Sequence, residues 1–353
     1  MAVADRPILA GMTPDELKAF VVSHGHPAYR ATQINDWLCR RFQMVPDAMK
    51  NLPSALRQDL QSELHAPSSR IIRRADAGDG TGKLLLSLAD DEVIEMVTIP
   101  AGDRLTFCLS TQVGCPVRCR FCASGADGLK RNLRCGEILE EYLHGIAAAG
   151  KQPENLVFMG IGEGLLNIGE LLKSLDRLTS PAGFGMSPRR ITVSTSGIVP
   201  GIRQLAAVKR EYNLAISLHA VNDRIRAELI PDACRYPVQE ILRAADEYRE
   251  TVGRMVTFEY TLLDGINDSR ADAAELGRLS RRHHAKINLI PFNETGNGFR
   301  RPSRRTIDEF AAEIERNGGH VTVRRERGSG ENAACGQLRR QHAAPDNAGL
   351  SDN

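Results

Sequence analysis

RLTFCLSTQVGCPVRCRFC, residues 104–122, is the stretch on which the reading of the fold turns. Arg104 to Ser110 reads as a strand, and the loop behind it carries Cys115, Cys119 and Cys122 with Cys-x3-Cys-x2-Cys spacing. Three thiolates can hold three irons of a cubane cluster and leave the fourth iron open to a small chelating ligand. That spacing suggests catalysis more than electron storage. A structural zinc site with Cys108 as fourth ligand is the competing reading. A disulfide cluster fits less well, because no secretory signal opens the chain and a reducing cytosol is the default. Cys39, Cys135, Cys234 and Cys335 add no second paired motif.

Downstream of this loop, strand patterns at 155–160, 190–194, 213–218, 254–260 and 286–290 alternate with helical stretches at 136–148, 167–178, 201–210, 238–250 and 270–283. With strand 104–110 this alternation predicts an α/β domain, a partial parallel (β/α)6 barrel over 101–340, and 321–325 as an added edge strand. In such a barrel the loops after the strands form the reactive face. Gly160-Ile161-Gly162-Glu163-Gly164, Ser194-Thr195-Ser196-Gly197, Ser217-Leu218-His219 and Pro291-Phe292-Asn293 all fall there. Gly160 and Gly162 permit close backbone approach, and Glu163 can meet a cationic amino group. The segment is not a dinucleotide fingerprint, because its third glycine is misplaced. Asn293 can read an adenine edge through its amide.

Upstream, residues 1–70 read as a helical accessory domain. Thr13-Pro14-Asp15-Glu16 is a capping-box start with proline at the first helical position. Further helices are expected over Ala31–Phe42, with Trp37 in the core, and from Pro53 to Leu64. The period changes to two over 71–100, where Leu84, Leu86 and Leu88 alternate and 93–97 follows Asp90-Asp91, giving a linking β-structure. Residues 341–353 have little apolar content and are expected to be disordered.

Composition sets outer bounds. At 353 residues and 42% hydrophobic, the chain can bury one large core plus a small accessory domain. No apolar run approaches the roughly 20 residues of a membrane span. A net charge of +2 neither demands nor excludes nucleic acid. Local basic runs do favour it: Arg118 and Arg120, then Lys130, Arg131 and Arg134, then Arg300, Arg301, Arg304 and Arg305, then Arg324, Arg325 and Arg327. His283 and His284 read as surface residues rather than metal ligands.

At Cys115, Cys119 and Cys122 the chain resembles the radical S-adenosylmethionine (SAM) superfamily. Within it, the chain resembles the adenosine C2 methyltransferases of large-subunit ribosomal RNA and their close relatives that methylate C8. The likeness covers roughly residues 10–340. It rests on Cys108-Leu109-Ser110-Thr111-Gln112-Val113-Gly114-Cys115, Arg131-Asn132-Leu133, Ser194-Thr195-Ser196-Gly197, Ser217-Leu218-His219-Ala220 and Asn332-Ala333-Ala334-Cys335-Gly336-Gln337-Leu338. The resemblance implies a 4Fe–4S cluster on the three cysteines. It implies SAM contacts from Gly162, Glu163, Ser194, Ser217, Leu218, His219 and Asn293. Cys335 resembles the methyl-carrying cysteine, Cys108 the cysteine that resolves the covalent intermediate, and Glu95 a glutamate in proton transfer. Departures are Gly164 in place of a proline, Gly328-Ser329-Gly330-Glu331 in place of an Asp-rich lead, and Asp232-Ala233-Cys234.

The implied chemistry uses two SAM molecules per turnover. Adenine C2 and C8 are poor nucleophiles, so direct polar transfer fails. Cys335 takes a methyl group from the first SAM, and a radical from the second converts it to a methylene that adds to the base. The adduct is released by a Cys108–Cys335 disulfide that reducing equivalents reset. The expected substrate is C2 of an adenosine in 23S rRNA at the peptidyl-transferase centre, with adenosine 37 beside a tRNA anticodon as a second candidate. The alternatives are an adenine-C8 methyltransferase or a zinc-stabilised RNA-binding protein. The expected partners are 23S rRNA, tRNA and an electron donor such as flavodoxin or ferredoxin, with no membrane. A cytoplasmic monomer is expected.

Overall fold

The computed structural model describes residues 6–231, 236–293 and 298–324. Three helices come first: α1 (Pro14–Ser23), α2 (Tyr29–Cys39) and α3 (Ser54–Glu63). The capping box forms as read: Glu16 N donates to Thr13 Oγ at 3.2 Å and Thr13 N to Glu16 Oε2 at 2.8 Å. Trp37 is half-buried rather than enclosed. Its Nε1 donates to Asn51, and the Arg41 guanidinium stacks 4.4 Å from the ring centroid.

Ten strands then form one sheet in the order β1-β2-β3-β4-β7-β8-β9-β10-β11-β12. β1 (Ser69–Asp76), β2 (Gly82–Leu88), β3 (Val93–Ala101) and β4 (Arg104–Cys108) pair antiparallel. From β4 onward, β7 (Asn155–Phe158), β8 (Ile191–Thr195), β9 (Asn213–Ser217), β10 (Thr257–Leu262), β11 (Lys286–Pro291) and β12 (His320–Val323) are all parallel. The β-structure read as a link is thus continuous with the barrel sheet. A separate hairpin, β5 (Gln112–Gly114) and β6 (Leu129–Asn132), brackets the cysteine loop and has no counterpart in the sequence reading.

The crossover helices are α4 (Cys135–Ala149), α5 (Ile168–Thr179), α6 (Val199–Ala207), α8 (Val238–Val252) and α9 (Arg270–Arg282). α5 buries Leu171, Leu175 and Leu178, and α8 buries Val238, Ile241, Leu242, Ala245 and Tyr248, each a helical stripe against the sheet. Two helices were not read from sequence: α7 (Asp223–Leu229) and α10 (Arg304–Arg316).

α4 is buried on every side through Ile146, because it lies between the sheet and the N-terminal segment. Its first turn comes so close to that segment that a Cβ on Gly136 would sit 2.5 Å from Ile8. Glu140 accepts from Ser68 N and Ser68 Oγ, each at 2.8 Å, and from Ser69 Oγ, so the same helix anchors the start of β1. The loop after α5 receives Asn35 at Ala182 O and Arg40 at Pro181 O and Gly183 O, and buried Arg177 returns a bond to Asn35. These contacts lock α2 to the barrel wall.

Candidate active site

The cysteine loop leaves the hairpin through Gly114, whose φ of +77° and closeness to Gly128 O (1.9 Å from a built Cβ) admit only glycine. Cys115 N donates to Gly128 O at 3.1 Å and Cys122 N to Cys119 O at 3.0 Å, which coils the loop back on itself. Cys115, Cys119 and Cys122 all line one cavity at the C-terminal ends of the parallel strands. They pack against an apolar collar of Val117, Phe121, Ile225, Leu229, Ile230 and Phe292. Burial pushes the Cys115 thiol up to about 12 and the Cys119 thiol well above its ordinary value. Thiolates here need a cationic centre to form.

Among the described residues, no three His, Cys, Asp or Glu side chains converge on one ion position. A cubane takes one thiolate per iron, and the three thiols that line one cavity supply three of the four, so the loop fits a cubane with an open iron.

The opposite wall is built by the strand-end loops. Gly162 has φ +110°, and a Cβ there would lie 2.9 Å from Gln112 N. Gln112 Oε1 accepts from Glu163 N at 2.8 Å, pinning the Gly-rich loop to β5. Glu163 is buried, with Oε1 accepting from Leu165 N at 3.1 Å and Oε2 from Ser196 N at 2.6 Å. Burial raises its pKa while these N–H bonds hold the carboxylate in place against that trend. Ser194, Ser217 and Asn293 line the same cavity. Leu218 does not: its side chain lies in the hydrophobic core, and it serves the site through its backbone.

His219 has φ +55°, a left-handed conformation for a non-glycine residue. Buried Asn267 holds it there, donating to His219 O and Thr261 O at 2.8 Å each. His219 Nδ1 accepts from Thr261 N at 3.0 Å, so the ring proton resides on Nε2. Burial, with Arg226 nearby, pulls the imidazole down to about 3, and the ring is a neutral donor at neutral pH. Phe121 meets its edge at a centroid distance of 4.7 Å.

Arg226 of α7 escaped the sequence reading because nothing marks it off from other arginines. It is buried and donates to Ser217 O at 3.1 Å, to Leu218 O at 2.7 Å and to Ser196 O. One fork therefore ties together the loops after β8 and β9. Glu259, buried at the cavity floor and bonded by Asn288 Nδ2 at 2.7 Å, also went unread.

Cys108 and Glu95 lie apart from this wall, on the antiparallel part of the sheet. Both are buried. Ser110 joins that part to the cavity: its Oγ donates to Glu95 O at 2.8 Å and accepts from Ile161 N at 2.9 Å. Glu95 forms an ion pair with Lys83 at 3.3 Å, again unread, although a charge inside each of two apolar strands was the available signal. Cys335, the segment 328–331, the segment 232–234 and the tail 341–353 lie outside the described residues.

Part of the basic runs, among the described residues, is spent on neighbouring acids. Lys130 pairs with Glu92 at 2.6 Å, Arg131 with Asp90 and Glu137, Arg304 with Asp308 and Arg305 with Glu309. His283 is half-buried against Asp246 at 2.7 Å, not a plain surface residue, whereas His284 is exposed. No helix among the described residues is long and apolar enough to cross a membrane.

The partial barrel and its three-cysteine loop define a radical SAM protein, and the Radical SAM superfamily model matches residues 109–277. The model of the ribosomal RNA large subunit methyltransferase N-terminal domain matches residues 8–65. The chain is 45% identical over 344 residues to a probable dual-specificity RNA methyltransferase RlmN of Prochlorococcus marinus, covering 95% of this chain and 96% of that one. A protein of the same description from Akkermansia muciniphila is 41% identical, covering 94% and 95%. A crystal structure of a radical SAM methyltransferase from Sphaerobacter thermophilus superposes with a TM-score of 0.92 at 42% identity, covering 95% of this chain and all of that one. The chain belongs to the RlmN family of radical SAM methyltransferases. It is an enzyme of the class that uses a 4Fe–4S cluster and SAM.

Proposed function

We propose that this enzyme methylates C2 of adenosine in 23S rRNA, and adenosine 37 of tRNA as a second substrate, through methylated Cys335 and a covalent RNA adduct. The single observation that carries the reading is the juxtaposition of two buried centres. Ser110 couples the sheet face bearing Cys108 and Glu95 to the cavity bearing the three cysteines. Family membership over nearly the whole chain supports the choice of RNA, and the relatives' dual-specificity description supports two RNA substrates.

Cys115, Cys119 and Cys122 would hold the cluster, leaving the open iron for SAM. Glu163 would accept the SAM amino group, and Ser194, Ser217, neutral His219 and Asn293 would fix the rest of the molecule. When bound, the cluster and SAM supply the transferable methyl group and the radical that activates it. The apolar collar excludes water from that event. Before release the radical adduct must lose one electron, for which the oxidised cluster would be the acceptor, and its ring proton; Cys108, as thiolate, would then attack the Cys335 sulfur. The S–S bond forms, the S–C bond breaks, and its electron pair goes to the former methylene carbon, which takes a proton to become the product methyl. A dithiol or flavodoxin-type donor reduces the disulfide. Reaching a stacked base requires flipping, at a few kcal/mol in a duplex and less in open RNA. The reading carries a cytoplasmic location with it.

Cys335→Ala is expected to take no methyl group, read as the absence of a one-methyl mass gain on intact protein. Cys108→Ala is expected to accumulate a denaturation-resistant protein–RNA adduct. Normal product turnover by either variant would sink the assignment.

A further inference from the structure

The Lys83–Glu95 pair has no duty in the mechanism so far. Its side chains are 6% and 0% exposed, with Nζ 3.3 Å from Oε1. Register fixes where it lies. Lys83 is opposite Val97, Val97 is opposite Cys108, and Cys108 is opposite Val157. Lys83 and Cys108 therefore share one cross-strand row, two strand spacings or about 10 Å apart. Glu95, two residues along β3 from Val97, points to the same face.

Apolar side chains would fill this floor at no electrostatic cost, so a buried ammonium here asks for another explanation. A buried carboxylate tends to hold its proton, which disables it as a base. An ammonium against it reverses that tendency and fixes its direction. The charged or titratable groups in register on this face of β1–β4, among the described residues, are Lys83 from β2, Cys108 from β4 and, at the exposed rims, Arg70 and Arg73 from β1, opposite Ser87 and Leu85, and Arg104 from β4.

We propose that Lys83 is a positioning residue for adduct resolution: it keeps Glu95 an oriented carboxylate beside Cys108, ready to accept the ring proton of the RNA adduct. The inference rests on the proton-transfer reading of Glu95. In the step, the adduct, having given up its unpaired electron to a one-electron acceptor such as the oxidised cluster, loses the ring proton: the C–H bond breaks, an O–H bond forms on Glu95, the C–H electron pair stays in the ring, and Lys83 remains the ion partner of the carboxylate.

The test follows decay of the covalent adduct against pH in the cluster-loaded, full-length enzyme with a 23S rRNA fragment. Lys83→Met should slow decay at least about tenfold at neutral pH and move its acid limb to higher pH. Lys83→Arg should restore most of the rate, and methyl loading of Cys335 should be unaffected in both. In cluster-free protein, infrared difference spectra against Glu95→Gln should show an ionised Glu95 in the parent and a protonated one in Lys83→Met. The double variant Lys83→Met/Glu95→Gln leaves no lone buried charge and guards against misfolding of the single variant. It should decay no more slowly than Glu95→Gln alone, because Lys83 acts through Glu95. A wild-type profile in Lys83→Met alongside a slow Glu95→Gln would overturn the role of Lys83 and leave that of Glu95 standing. A wild-type rate in Glu95→Gln would remove the underlying reading, and the role of Lys83 with it.

Discussion

Arg226 shows how much of the cavity depends on one side chain. Its guanidinium donates to three backbone carbonyls, those of Ser196, Ser217 and Leu218, and so sets the spacing between two cavity-lining loops. Burial lowers its pKa to about 10, still charged at neutral pH. Arg226→Met leaves those carbonyls short of donors, at about 1–3 kcal/mol for each buried one. SAM affinity, measured by equilibrium dialysis on reconstituted enzyme, should fall at least about tenfold while iron content stays near that of the parent. Arg226→Lys should not restore it, because a point charge cannot replace a planar fork. Unchanged SAM affinity in Arg226→Met would remove this role. At this scale the cysteines and Glu163 were legible because their residue types and spacing announce chemistry. Arg226, Asn267 and Gln112 were not, because their work is to hold backbone, and holding backbone leaves no pattern in one sequence.

Elements were legible where the residue pattern or a cap announced them and were missed where charge misled. α1 announced itself through its capping box, and α5 through its leucines. β2 suggested alternation through Leu84, Leu86 and Leu88, yet every residue in it is buried, Lys83 included, because the sheet is covered on both faces there. α10 was missed because Arg304 and Arg305 read as a basic patch. In the fold they form i,i+4 pairs on an exposed helix face behind the Ser303 cap. α4 hides three glutamates, and one gives a prediction. Burial pushes Glu140 up to about 7 despite its serine donors. A carboxyl whose folded pKa is raised binds more protons folded than unfolded, so its stabilising effect is complete below about 4.5 and is lost as pH rises through about 7. His144, lowered by burial, runs the other way below its ordinary value, and it is common to both proteins compared. The stability of Glu140→Gln relative to the parent should therefore climb by about 3 kcal/mol between pH 4.5 and above 7. Thermal melts across that range check it; a pH-independent difference would contradict it.

At the scale of the whole molecule, one sheet does two jobs. Its parallel strands end in the loops of the three-cysteine cavity, and its antiparallel strands carry Cys108, Glu95 and Lys83. Strand–helix alternation made the barrel legible. The continuity of β1–β3 with it was not, because strand order is decided by pairing between strands, Val97 with Cys108 among them. The identity of the methylated product is the point on which the mechanism stands. Nucleoside mass spectrometry after anaerobic reaction with SAM, reductant and unmodified large-subunit rRNA tests it, with standards that separate 2-methyladenosine from 8-methyladenosine. The expected product is 2-methyladenosine. Exclusive 8-methyladenosine, or no methylated adenine from enzyme with an intact cluster that cleaves SAM, would contradict it.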